Sequence, residues 1–137
     1  MAQERITVEA TAPAPIAVVW KAYTSPDEIT QWNFASDDWH CPTARVDLRE
    51  GGKFTSRMEA KDGSMGFDFE GVYTKIIPNQ RIEYAFGDRN AIVDFIPSGD
   101  RTILKVSFDP EDHFPIEQQR SGWAAILGNF CKHVARR

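Results

Sequence analysis

The chain has 137 residues, of which 42% are hydrophobic and 26% are charged, and its formal net charge is −4. This balance is typical of one globular domain and excludes disordered and fibrous chains, while the negative charge disfavours binding to nucleic acid or an anionic membrane. No apolar segment approaches the roughly 20 residues that span a bilayer, and the N-terminus does not resemble a signal peptide, so we expect a cytoplasmic protein with one domain over residues 1–137.

The first part of the sequence predicts a strand followed by two helices. Apolar and polar residues alternate at Arg5–Ala10, which favours a strand. Apolar residues then recur at helical spacing at Ile16, Val19, Trp20 and Tyr23. A second short helix is predicted at Pro26–Trp32, where Ser25 would cap the free N–H groups and Glu28 would reach back as in a capping box.

The middle of the sequence predicts a loop and then a run of strands. Residues 33–42 show no clear period and are predicted to form a loop that carries large aromatic side chains. From Thr43 onward, six alternating segments are separated by turn sequences such as Gly51-Gly52 and Asp62-Gly63. We therefore expect six consecutive antiparallel strands joined by short turns.

The C-terminal segment changes to a helical period. A helix over Phe114–Val134 is predicted from an apolar stripe with steps of three and four residues. The stripe consists of Ile116, Arg120, Trp123, Leu127, Phe130 and Val134. Such a helix must bury its stripe, and the apolar face of the sheet is the large partner available. The predicted fold class is therefore α+β.

These elements carry a resemblance that covers nearly the whole chain. The residues that carry it are Ala12-Pro13, Val19-Trp20, Thr24-Ser25-Pro26, Trp32, 46–54, Asp62-Gly63, Gly71-Val72-Tyr73, 81–84 and Gly122-Trp123. With them the chain resembles the START-like (SRPBCC, helix-grip) superfamily, in the branch of heat-shock ATPase activator homologues. The resemblance implies a helix-grip fold, with two short helices after the first strand and a curved antiparallel sheet around the long C-terminal helix. It also implies a hydrophobic cavity between sheet and helix.

Alternation along the strands and the resemblance together predict which residues line a ligand-binding cavity. The sheet residues predicted to face the last helix are Met58, Phe67, Phe69, Tyr84, Phe86, Phe95 and Phe108. They would face Trp123 and Leu127 on the helix, while Trp32, Phe34 and Trp39 would lie near the cavity mouth. Small residues at the same interface, Ser56, Ala60, Gly71 and Gly128, would leave volume unfilled. The expected partner is a small hydrophobic or aromatic ligand.

Several alternatives stay open at this point. The aromatic side chains could instead pack on one another and leave no cavity. A cyclase- or hydratase-like enzyme would use His40, Asp38 or Tyr84 as acid–base groups. A protein-interaction domain of co-chaperone type, or a homodimer, would use the aromatic loop around Phe34 and Trp39. No metal site or cofactor is expected, because the Cys and His spacings fit no standard zinc pattern.

Overall fold

The computed structural model describes residues 5–136, and these form seven strands and three helices. In chain order the elements are β1 (Ile6–Ala12), α1 (Ile16–Thr24), α2 (Pro26–Ile29), β2 (Trp39–Val46), β3 (Lys53–Ala60), β4 (Gly66–Ile77), β5 (Arg81–Phe86), β6 (Arg89–Ser98), β7 (Arg101–Phe108) and α3 (Ile116–Ala135). The predicted α+β class, with two short helices after the first strand and a long helix at the end, is confirmed.

All seven strands form one antiparallel sheet in the order β1-β7-β6-β5-β4-β3-β2. Strands β2 to β7 are neighbours in chain order, which confirms the predicted run of six strands joined by short turns. Strand β1 adds to the far edge by pairing with β7, where Ile6 lies opposite Phe108. The sheet curves into a half-barrel, and its concave face receives α3.

Strict alternation places one face of the sheet in the core. On β5, Ile82, Tyr84 and Phe86 are buried, while the residues between them are more exposed. From the other side, α3 buries Leu127, Phe130 and Val134 at the predicted helical spacing. Each such large apolar side chain contributes about 1.5–3 kcal/mol on burial, so this layered contact is the main source of stability.

The second helix is shorter than predicted and lacks the capping box. It ends at Ile29, and irregular hydrogen-bonded turns continue the chain to Trp32. Pro26 occupies the first turn as expected, but the Ser25 side chain makes no cap hydrogen bond. Glu28 instead pairs with His133 of α3, with 2.9 Å between Oε1 and Nε2. The sequence pattern assigned the Glu28 carboxylate to the N-terminus of α2, but in the fold this carboxylate makes a tertiary contact with α3.

The predicted loop at residues 33–42 ends earlier than expected. Strand β2 begins at Trp39, which pairs with Ala60, and His40 pairs with Glu59. The register then shifts between His40 and Thr43, around Pro42. Proline has no N–H to donate, so it is tolerated in an edge strand at such an irregularity. This irregularity is the reason why residues 39–42 show no clear alternation in the sequence.

The long helix is less buried at its start than its stripe suggests. Ile116 is 40% exposed, contrary to the predicted apolar contact. Gln119 is buried instead, and its side-chain amide binds the backbone of Glu111 and Phe114. Within residues 5–136, no helix is both long enough and apolar enough to cross a bilayer.

Candidate functional site

A cavity of about 330 Å³ lies between the concave face of the sheet and the helices. Its apolar lining residues are Ile29, Trp32, Val46, Phe54, Met58, Phe67, Phe69, Ile82, Val106, Trp123, Ile126 and Leu127. Its polar lining residues are Tyr23, Asn33, Ser56, Tyr73, Tyr84, Arg89 and Glu111. Apolar walls with a few polar groups are the usual composition of small-molecule sites.

Trp123 forms the α3 side of the cavity. Its indole stacks on Phe108, with ring centroids 3.9 Å apart and an interplanar angle of 8°. Phe86 and Phe69 contact the same indole at centroid distances of 5.9 and 6.4 Å. Aromatic pairs of this kind add about 0.5–1.5 kcal/mol beyond area burial. Contacts from three strands therefore hold the indole in place at the cavity wall.

Trp32 forms the opposite, helix-pair side of the cavity. It follows α2, and its indole N–H donates a 3.0 Å hydrogen bond to the carbonyl oxygen of Ala22 in α1. Its ring meets Phe130 of α3 edge-on at 4.9 Å and lies 5.1 Å from Tyr23. The buried donor is therefore satisfied, and the ring packs against side chains of two helices.

Tyrosine hydroxyls supply much of the polar surface of the cavity. All three tyrosines of the sequence, Tyr23, Tyr73 and Tyr84, line it. Burial raises the pKa of each phenol, to about 12 for Tyr73 and well above its usual value for Tyr84. Charge on Tyr73 also raises the pKa of Tyr23, and charge on either raises the pKa of Tyr84. The three phenols therefore stay protonated at pH 7, and Tyr73 lies directly opposite Tyr84 in the pairing of β4 with β5.

An ion pair lies at one end of the cavity. Nη2 of Arg89 is 3.6 Å from Oε2 of Glu111, and the guanidinium lies over the ring of Phe86, 4.4 Å from its centroid. The second carboxylate oxygen, Oε1 of Glu111, is buried and has no hydrogen-bond partner within residues 5–136. Because the two side chains carry opposite charges, this end of the cavity presents little net charge to a ligand.

A family model described as "Activator of Hsp90 ATPase homolog 1-like protein" matches residues 13–135. The chain belongs to this family. The match confirms the resemblance to the heat-shock ATPase activator branch of the START-like superfamily. No curated protein sequence matches the chain.

Solved structures of AHSA1-like and related proteins share the fold. An AHSA1-like protein from Aeromonas hydrophila is 41% identical, with a TM-score of 0.90 over 96% of this chain and 92% of that one. Chr148 from Cytophaga hutchinsonii is 48% identical, with a TM-score of 0.82 and the same coverage of both chains. Protein CV1439 from Chromobacterium violaceum, at 23% identity and a TM-score of 0.84, covers 95% of this chain and 96% of its own, and shows the fold alone.

The cavity of this AHSA1-like chain includes part of the residue set nominated from the sequence. The nominated residues that line it are Trp32, Met58, Phe67, Phe69, Tyr84, Trp123 and Leu127. Alternation along β3 and β5 placed Met58 and Tyr84 on the inner face, where both are buried. Phe67 is 51% exposed although it follows the same alternation, because it lies near the start of β4, at the cavity mouth.

The other nominated residues lie outside the cavity wall. Phe86 and Phe108 are buried behind Trp123 and support its ring. Phe95 packs edge-on against Trp20 of α1, at 5.0 Å. These side chains face the core as alternation predicts, but neighbouring rings cover them, so they contribute to packing.

The other two aromatic residues predicted at the cavity mouth, Phe34 and Trp39, do not line the cavity. Trp39, the first residue of β2, packs against Phe67, with centroids 5.9 Å apart at the mouth. The Phe34 carbonyl oxygen accepts a 2.5 Å hydrogen bond from Nδ2 of Asn129, which ties this segment to α3.

Only part of the predicted free volume comes from small side chains. Ser56 lines the cavity, as expected. The space above Gly71 is filled, since a Cβ built there would lie 2.8 Å from the Phe54 ring and 2.5 Å from the Ala85 carbonyl oxygen. Gly71 thus allows close packing of Phe54, and the interpretation of Gly71 as a source of cavity volume is wrong.

The acid–base residues proposed from the sequence are not brought together. His40 lies near Glu59, with 3.8 Å between Nε2 and Oε1, and Asp38 accepts a hydrogen bond from Ser36. Neither His40 nor Asp38 lines the cavity, whereas Tyr84 does. An Asp–His pair facing the ligand space is therefore not formed.

Sequence reasoning found Tyr84 and Ser56 but missed the rest of the polar lining. Tyr73 is in phase with Phe69 on β4, and Tyr23 lies on the apolar stripe of α1, so the same patterns could have predicted both. Arg89, the first residue of β6, is in phase with the buried Ala91 and Val93, so alternation also places it on the inner face. Glu111 lies in an irregular segment where no periodicity applies, and its placement depends on tertiary contacts alone.

Proposed function

We propose that this AHSA1-like chain is a small-molecule binding domain that holds a hydrophobic ligand between the sheet and α3. The observation that carries this proposal is the cavity of about 330 Å³, which has mainly apolar walls. Small-molecule pockets occupy about 300–1,000 Å³, so the cavity suits a compact ligand of a few fused rings. A closely packed aromatic core would leave no such space.

The mouth of the cavity supports entry of an apolar molecule. Phe67 lines the cavity and is half exposed, and Trp39 packs against it. Met65, at the start of the same strand region, is also exposed. Apolar side chains around an opening give a hydrophobic ligand a favourable first contact before it reaches the interior.

The three phenols inside the cavity favour binding over proton-transfer catalysis. A general acid or base is most effective when its pKa lies near the operating pH. The pKa values of Tyr23, Tyr73 and Tyr84 are raised away from neutrality, so these phenols act as neutral hydrogen-bonding groups. The arrangement therefore suits recognition of a ligand more than its chemical conversion.

Binding of naphthalene tests this proposal. We expect one molecule to bind the wild-type chain, as followed by amide chemical shifts in an NMR titration. Trp123→Ala removes an aromatic wall and should weaken naphthalene binding about tenfold or more, the effect of one lost aromatic contact. Val134→Ala is the matched control, because Val134 is buried on the same helix but does not line the cavity. Absence of naphthalene binding to the wild type, or equal losses in both variants, would contradict the proposal.

A further inference from the structure

The cavity contains hydroxyl groups that the protein itself leaves without partners. Tyr73 and Tyr84 are each 7% exposed, and Tyr23 is partly buried beside them. None of the three phenol oxygens forms a hydrogen bond to another residue in the described range 5–136. By contrast, the buried Trp32 indole N–H and Gln119 amide are both hydrogen-bonded. The phenol oxygens stay accessible from the cavity, and the fully buried polar atom without a partner among residues 5–136 is Oε1 of Glu111, which lines the same cavity.

Hydroxyls that reach the cavity without a protein partner are available to a ligand. A ligand that covered them without offering a hydrogen bond would leave them buried and unpaired, which costs free energy. The structure places all three of the chain's tyrosines around the same space. A ligand oxygen placed among them would supply the missing hydrogen bonds. A hydroxyl oxygen can accept two hydrogen bonds and donate one, which matches three phenols.

The charges around the cavity favour a neutral ligand. The phenols are protonated at pH 7, and the Arg89 guanidinium is paired with the Glu111 carboxylate. A carboxylate ligand would therefore enter a largely apolar space to which residues 5–136 contribute no unpaired cation, and its desolvation would be uncompensated. A neutral oxygen avoids that cost and still hydrogen-bonds to the tyrosines.

Building on the proposed binding function, we infer that the ligand is a neutral, mostly apolar molecule that carries a hydroxyl or carbonyl oxygen, and that the hydroxyls of Tyr23, Tyr73 and Tyr84 bind this oxygen. The walls contributed by Trp32 and Trp123 contact the apolar body of the ligand. The tyrosines therefore favour hydrophobic ligands that carry an oxygen atom, while the aromatic walls contribute affinity for any compact apolar skeleton.

Three probes with one ring skeleton test the inference at pH 7: naphthalene, 2-naphthol and 2-naphthoate. We expect 2-naphthol to bind the wild-type chain about tenfold more tightly than naphthalene, the effect of about one net hydrogen bond. The 2-naphthoate anion should bind more weakly than 2-naphthol. In the triple variant Tyr23→Phe, Tyr73→Phe, Tyr84→Phe, the dissociation constants of 2-naphthol and naphthalene should converge, with the naphthalene constant unchanged.

Two controls separate recognition from folding. Ser107→Ala removes an outward-facing hydroxyl on β7 that pairs with Thr7, and it should leave all three dissociation constants unchanged. The melting temperature of the triple variant should equal or exceed that of the wild type, because phenylalanine keeps the ring and removes only the unpaired oxygen.

The outcomes distinguish this inference from the proposed function. If naphthalene binds and 2-naphthol binds no more tightly, the inference is overturned and the binding function stands. A preference for 2-naphthol that survives in the triple variant, or tightest binding of 2-naphthoate, also overturns the inference. If none of the probes binds the wild-type chain, the proposed function itself fails.

Discussion

Replacement of Ser56 by leucine tests whether the space inside the cavity is available to atoms. Ser56 lies on β3, is 5% exposed and lines the cavity. The larger side chain needs additional volume on the order of two to three water molecules, about 60–90 Å³, and the cavity offers about 330 Å³. We therefore expect Ser56→Leu to be accommodated without displacement of the sheet or of α3.

The predicted effect of Ser56→Leu on stability is small. Added apolar burial contributes about 0.8 kcal/mol for each methylene group. The substitution also removes a hydroxyl that lies beside the Cys41 thiol, and loss of one hydrogen bond costs about 0.5–1.5 kcal/mol. The added burial is at least as large, so the free energy of unfolding should equal that of the wild type or exceed it by up to about 2 kcal/mol. Naphthalene binding should be lost, because leucine occupies the ligand space.

Ala91→Leu is the matched control at a filled position. Ala91 lies on β6, is fully buried and does not line the cavity. Overpacking of a filled core costs about 1–3 kcal/mol, so this variant should be clearly less stable than Ser56→Leu. Urea unfolding followed by tryptophan fluorescence measures both free energies. Equal destabilisation of the two variants would refute the reasoning, because it would mean that the space beside Ser56 is already filled.

Three further predictions concern the walls and the phenols. Trp123→Ala removes the stack on Phe108 and should lower the free energy of unfolding, measured in urea, by about 2–3 kcal/mol. This loss is smaller than that for a fully buried tryptophan because Trp123 is only half-buried. Trp32→Phe leaves the Ala22 carbonyl without its indole donor and should cost about 1–3 kcal/mol, whereas wild-type stability would contradict that role of the hydrogen bond. Stability should fall as pH rises above 10, because unfolded tyrosine loses its proton near pH 10 whereas Tyr73 holds it to about pH 12. That group alone should contribute a loss of about 2 kcal/mol by pH 12, and no loss between pH 10 and 12 in thermal unfolding would contradict its burial.

The sheet and the long helix could be predicted because their burial is periodic. Alternation on β5 and β7 and the stripe through Leu127 and Phe130 all correspond to buried side chains. Periodicity identifies which face of a helix or strand is buried. It does not show where along the element the neighbouring layer stops covering that face. This is why Phe67 and Ile116, on the predicted inner faces, are exposed near the ends of their elements.

Which inward-facing residues line the cavity could not be predicted in the same way. An inward-facing residue on a strand can pack against a neighbouring ring, as Phe108 does, or line a cavity, as Tyr73 does. The choice depends on the curvature of the sheet and on the height of α3 above it, which are tertiary properties. The same limit applies to Glu28, whose local pattern predicts a helix cap and whose partner in the fold is His133.

The most direct test of the account is to locate 2-naphthol on the protein by nuclear Overhauser effects. If the ligand occupies the cavity, its ring protons should show contacts to the side chains of Trp123 and Leu127, with the hydroxyl end nearest Tyr73 and Tyr84. These residues lie on α3 and on two different strands, so only a molecule between sheet and helix can contact all of them. Contacts confined to outward-facing residues such as Ser107 would contradict the account. So would a ligand that lies in the cavity with its hydroxyl end away from the tyrosines.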